Sequence, residues 1–112
     1  MDLKIKTWLL DIDHCINEIF DFIGEDRNFL NYKKDLKTKK AVERNIEIIG
    51  EAVGRILKFD SKFLIKNAQH IIGIRNRIIH SYDNISDEII WTIIIKELPI
   101  LKVEIENHLL KE

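Results

Sequence analysis

Between residues 38 and 58, Val42, Ile46, Ile49, Val53 and Ile56 return every three or four positions and fall on one stripe of a helical wheel. That period belongs to a helix with one buried face, not to a strand. Residues 3–23 repeat the spacing through Ile5, Trp8, Leu9, Ile12, Ile16, Ile19, Phe20 and Ile23, and Gly24 gives a stop. One proline and four glycines leave little to break the chain up, so long regular elements are favoured. Residues 25–36, with Asp26 and Asn28 and little periodicity, read as a connection. The stretch "FDSKFL" predicts a break and then a third helix, capped by Ser61 and running to about residue 79. Asp83–Asn84 is a turn signal, and Ser86 with Asp87 and Glu88 opens a fourth helix, "SDEIIWTIIIKEL". Pro99 breaks the pattern, and 100–110 forms a short fifth helix. The isoleucines of 89–95 would suit a buried strand on propensity alone, but the segment is capped as a helix and no other stretch offers a partner strand. The expected outcome is all-α: one domain over residues 1–112, folded as an antiparallel bundle of four to five helices.

A formal net charge of −1 gives no global case for nucleic acid or membrane, so any anion-binding surface must be local. The single Cys15 excludes an intrachain disulfide framework and fits a reducing cytosol. The start, "MDLKIKTWLLDIDH", carries acids inside its short apolar run and does not read as a signal peptide. Uninterrupted apolar runs stop at three residues, too short to span a membrane. A cytoplasmic protein is expected.

Against that background "RNRIIHSYD", residues 75–83, gathers two arginines, an asparagine, a histidine and a tyrosine in a chain with 23 isoleucines. On a wheel centred on Arg75, Ile71, Ile72, Ile74, Ile78 and Ile79 fall within roughly −100° to +60°. Arg75 therefore sits in the middle of an apolar stripe, and Tyr82 would land near it if the helix continued. Asn76 and His80 share the neighbouring polar edge. An unpaired buried guanidinium costs several kcal/mol. Either a carboxylate pairs with Arg75 and fixes helix register, or Arg75 lines a cleft and awaits a phosphate. Spacing alone does not choose. Arg75 and His80 diverge by about 140° on a straight helix. They converge poorly on one small site within a straight helix, and more easily if the helix frays near His80 or a second copy completes the site. A two-fold dimer would set two such pairs across one groove, which suits a long RNA better than a small metabolite.

Other chemistry-bearing residues are weaker. Lys33, Lys34, Lys37, Lys39 and Lys40 could steer an RNA backbone, although a solvated loop and helix start explains them more simply. Asp11, Asp13 and His14 are metal-ligand types, but Asp13 does not share the helix edge of the other two. His70 and His108 stand isolated, as surface or cap residues do. Glu47 and Glu51 are placed to pair with Arg44 or Arg55, or to supply a carboxylate to Arg75. Trp91 fits core packing or a dimer contact. Gly50 and Gly54 each cost about 1 kcal/mol of helix propensity, and close approach of another helix is a reason for them.

Arg75, four residues, His80, one residue and Tyr82 match the R-x4-H-x-Y signature of the HEPN superfamily. More closely, the chain resembles its HepT branch, the toxin half of HEPN–minimal nucleotidyltransferase pairs. "AVERNIEIIGEAVGRI" (41–56) is similar to that family's second-helix pattern, "IIGIRNRIIHSYDNI" (71–85) to its motif helix, and "DEIIWTIIIKELPIL" (87–101) to the segment that follows. The likeness runs from about residue 3 to 110. It implies a helical homodimer with the two motifs facing each other across a cleft, cleaving RNA without a metal or cofactor as a growth-suppressing toxin. It also implies a cognate nucleotidyltransferase antitoxin that transfers AMP onto the motif tyrosine. Carried over, Arg75 and His80 are catalytic, Tyr82 is the modification acceptor and Asn76 has a supporting role. The chemistry fits those residue types. Imidazole moves protons near neutrality, and guanidinium stays charged while it holds two phosphate oxygens. An attacking 2′-hydroxyl would leave a 2′,3′-cyclic phosphate. The rival expectation is a non-catalytic module, in which the same residues bind a nucleotide or the partner nucleotidyltransferase.

Overall fold

A computed structural model describes residues 1–80 and 85–111, and every element in it is helical. The order is α1 (Leu3–Ile23), α2 (Phe29–Lys34), α3 (Leu36–Phe59), α4 (Ala68–His80), α5 (Asp87–Thr92), a π turn (Ile93–Glu97) and α6 (Leu98–Leu110). The stripe read from the sequence is the one that buries: Val42, Ile46, Ile49, Val53 and Ile56 are each 2% exposed or less. They make α3 the central helix, packed between α1 and α4. Asn45 donates to Glu18 across 3.1 Å near the middle of α3, and Trp8 meets Phe59 at 6.2 Å at its C-terminal end, so α1 and α3 run antiparallel. Lys102 on α6 ties back to α1 through Asp13 at 3.1 Å and Asn17 at 2.7 Å. The all-α bundle expected from the sequence is what forms.

Three boundaries differ, each for a physical reason. Residues 25–36 contain a short helix: the Asn28 side chain accepts from the Asn31 N–H at 3.0 Å, and α2 turns Tyr32 inward against Trp91, with ring centroids 5.3 Å apart. Ser61 is not an N-cap, and the helix it was expected to open begins seven residues later at Ala68. Tertiary hydrogen bonds hold the intervening segment open. The Lys66 N–H donates to Glu104 at 2.9 Å, and the Leu64 carbonyl meets His108 Nε2 at 2.8 Å. His108 also lies 4.3 Å from the Phe63 ring, so it is not the isolated residue it looked.

Pro99 does not end a helix. A proline inside a regular helix removes one hydrogen bond and clashes with the carbonyl four residues back, costing about 3 kcal/mol. Here the preceding turn widens: the Leu98 N–H reaches back five residues to Ile93. Pro99 then enters in the first turn of α6, where a missing N–H costs least. The expected fourth and fifth helices are therefore one continuous rod with a π turn in it, and no strand forms over 89–95. No helix among the described residues is long and apolar enough to cross a membrane.

Two buried groups test the packing. Cys15 is 4% exposed, and burial next to Glu18 and Asp11 pushes its thiol up to about 11, so it stays an inert hydrophobe. Tyr32 is 3% exposed and its hydroxyl has no partner among the described residues; burial raises its pKa. An unsatisfied buried hydroxyl costs about 1–3 kcal/mol. Tyr32→Phe is therefore expected to raise the urea midpoint, by about 1 kcal/mol of stability. A loss of stability would mean that the hydroxyl has a partner after all.

Candidate functional site

The motif residues lie on and just beyond α4. That helix packs on α3 through Ile71 and Ile74, which are 5% and 4% exposed. Next to Ile74, Arg75 reaches the α3–α4 seam, and its aliphatic stem lies directly on Gly50. A Cβ added at Gly50 would collide with the Arg75 Cβ, come within 2.8 Å of its Cγ and sit 3.3 Å from the Ile71 carbonyl. Close approach of a second helix was expected at both Gly50 and Gly54. It occurs at Gly50 alone, since a Cβ at Gly54 would meet nothing within 4 Å. Sequence reasoning did not link Gly50 to Arg75. The available signal was a mid-helix glycine on the flank of the α3 stripe, opposite the motif helix.

Among the described residues, no acid pairs with the guanidinium that rests on this seat. Arg75 is half-buried, Nη1 donates to Asn76 Oδ1 at 3.1 Å, and Nε is buried with no hydrogen-bond partner among the described residues. Among the described residues no carboxylate forms an ion pair with it. Glu47 pairs with Arg44 at 2.9 Å and Glu51 with Arg55 at 2.6 Å, so neither candidate acid is spent on Arg75. The register-fixing Arg–Glu pair is absent from the described structure. Asn76 is exposed on the helix edge with its oxygen turned to Arg75. His80 is the last residue of α4 and is exposed. Because α4 stays helical through His80, the roughly 140° between Arg75 and His80 persists. One copy does not gather them at a single small site. Tyr82 lies outside the described residues.

Several of the remaining candidates have structural partners. Lys39 pairs with Asp87 at 3.4 Å and Lys33 with Glu88 at 3.6 Å, joining the lysine-rich segment to the start of α5. Asp13 binds Lys102 and His14 faces Glu18 at 3.4 Å. No group of three metal-ligating side chains converges among the described residues. Trp91 packs on Tyr32 and Phe29. His70, expected to stand alone, has its Nδ1 2.7 Å from Glu97.

Comparison with known proteins places this arrangement. The sequence pattern described as "Ribonuclease HepT-like" matches residues 12–108. A protein of Methanocaldococcus jannaschii named as a candidate RNase is 38% identical over 104 residues, covering 92% of this chain and 85% of its own length. Another, from Caldanaerobacter subterraneus subsp. tengcongensis and also named as a candidate RNase, is 37% identical over 111 residues, covering 96% and 99%. A third, from Thermococcus cleftensis, bears the name probable ribonuclease HepT and is 33% identical over 104 residues, covering 91% and 93%. No solved structure matches. Over nearly all of its length, then, the chain belongs to the HepT-like ribonuclease family.

Proposed function

We propose that this chain is a metal-independent endoribonuclease, the toxin of a type VII toxin–antitoxin pair, acting as a homodimer in the cytoplasm. Arg75 clamps the scissile phosphate and His80 is the general acid/base. The observation that carries this reading is the state of Arg75: a half-buried guanidinium with an orphaned Nε, an asparagine beside it and no carboxylate among the described residues. A half-buried cation with no acid among its described neighbours favours an anionic ligand. In the reaction His80 takes the proton from the ribose 2′-hydroxyl, and the 2′-oxygen bonds to phosphorus. The bond to the 5′-oxygen breaks, and that oxygen leaves with a proton from imidazole. The products are a 2′,3′-cyclic phosphate and a 5′-hydroxyl. Asn76 supports Arg75 by fixing one guanidinium nitrogen. The angular gap between Arg75 and His80 is the reason a second copy is needed.

Tyr82 is the acceptor for AMP from a cognate nucleotidyltransferase antitoxin. Its phenolic oxygen loses its proton and bonds to the α-phosphorus of ATP held by the antitoxin, the α–β phosphoanhydride bond breaks and pyrophosphate leaves. The added bulk and negative charge repel RNA from Arg75. The test is RNA incubated with the chain in excess EDTA, beside the same RNA carrying 2′-O-methyl groups. Cleavage of the first to cyclic phosphate ends, with the second intact, is the expected result. Cutting that EDTA abolishes, or that ignores the 2′ substitution, would overturn the mechanism. Chain adenylylated at Tyr82 should not cut, and full activity in such a sample ends the proposed neutralisation.

A further inference from the structure

The solvent face of α4 carries no acid. Within an arc of about 120° lie Gln69, His70, Gly73, Asn76, Arg77 and His80, and all except half-buried Gly73 are exposed. Every side chain on that face can donate a hydrogen bond, and Arg77 is permanently charged. The pattern extends beyond the helix. Residues 61–82 contain no Asp or Glu, although the whole chain has 19, and they include Lys62, Lys66, Arg75 and Arg77. A chain with net charge −1 has thus kept one 22-residue stretch entirely free of acids. Two carboxylates border the His70 end of this face: Glu97, only 15% exposed and engaged by His70 Nδ1 at 2.7 Å, which leaves Nε2 for a ligand, and Glu88, which faces Lys33 at 3.6 Å.

Gly73 stands in the middle of the face. A glycine inside a helix weakens it, and here no packing among the described residues accounts for the missing side chain: an added Cβ would meet nothing within 4 Å. The result is a flat where α4 backbone can be approached closely, flanked by Arg77 on one side and His70 on the other. Asn76, whose oxygen is turned to Arg75, keeps its amide hydrogens for an outside acceptor.

We infer that this face is a track for the sugar–phosphate backbone of an RNA strand, running about 16 Å from His80 past Arg77 and Gly73 to His70 and Gln69. The inference rests on the RNA-cleaving role proposed above and adds where the strand lies away from the cut. Affinity along the track comes from charge and donors rather than base reading, so it is tolerant of sequence and sensitive to salt.

The probe is a fluorescein-labelled 2′-O-methyl RNA, which binds without being cut, titrated with the full chain by anisotropy at several salt concentrations. Arg77→Glu should weaken binding roughly tenfold and flatten the salt slope by about one. Lys58→Glu, the same charge change near the end of α3, should change affinity far less. Gly73→Leu fills open space and improves helix propensity, so it should melt no lower than the parent chain while binding RNA more weakly. Sedimentation accompanies each titration. Unchanged binding by Arg77→Glu and Gly73→Leu overturns the track, as does a parent chain that fails to bind the probe. Loss of binding together with dissociation of the oligomer also overturns it, by making the face a contact between copies. The nuclease claim is tested separately: a chain that binds the probe along α4 but cuts no unmodified RNA keeps the track and loses the reaction.

Discussion

Gly50→Ala is expected to cost about 2 kcal/mol of folding stability, and Gly54→Ala, one turn further along the same helix, to gain about 1. Both replacements remove the same backbone entropy and add the same methyl group, so propensity favours both by about 1 kcal/mol. What separates them is the space each Cβ enters. At Gly54 it meets nothing within 4 Å. At Gly50 it overlaps the root of the Arg75 side chain and presses on the Ile71 carbonyl at 3.3 Å. Neither group is a flexible tip that can rotate away, so α3 and α4 must separate. Overpacking of this kind costs typically 1–3 kcal/mol, and the backbone contact puts it toward the upper end. Gly50→Val adds two more methyl groups to the same seam and should prevent the pair of helices from closing.

Urea titration of the two alanine variants decides the matter, because only the sign of each shift is needed. Stabilisation at both positions would mean that α4 does not approach α3 at Gly50. A second readout reaches the site. Any Gly50→Ala chain that folds carries its guanidinium displaced from the seam, so RNA cleavage should fall further than the folded fraction does.

That dependence of site on packing marks how much of the molecule was legible in its sequence. The stripes of α1 and α3 were, because Ile46, Ile49, Val53 and their neighbours bury an entire helix face and the 3.6 period survives any tertiary detail. Short-range signals fared worse wherever a distant group competed with them. Ser61 resembles an N-cap, yet Glu104 and His108, some forty residues on, hold the following segment out of helix. Pro99 resembles a terminator, but a widened turn absorbs the missing donor. α2 has one buried side chain, Tyr32, too few for a period to show. Arg75 was legible as an anomaly: a cation centred on an apolar stripe. Whether a carboxylate waited for it was not, because Glu47 and Glu51 lay equally well for Arg44 and Arg55, and the fold gives them to those arginines.

Arg75→Ala and His80→Ala should each reduce RNA cleavage by roughly 10²–10⁴-fold, and mixing the two inactive chains should bring part of the activity back. The single losses follow from the proposed roles: without His80 no group would carry the 2′-hydroxyl proton, and without Arg75 the phosphate charge would be uncompensated. Arg75→Lys should not rescue, since a point charge lacks the planar fork that grips two oxygens. The return of activity follows from geometry. α4 is helical through His80, so the two side chains of one copy point about 140° apart. In the proposed dimer a working pair then takes Arg75 from one copy and His80 from the other. In a mixed dimer one of the two composite sites holds both substitutions and the other holds neither. With random assortment about half the dimers are mixed and each has one intact site, so the mixture should recover roughly a quarter of the parental rate. Both single variants must first be shown to fold and sediment like the parent chain. Silence from the mixture after subunit exchange would place the working pair within one copy, against the helix that separates them. Parental activity in either single variant would remove that residue from the chemistry altogether.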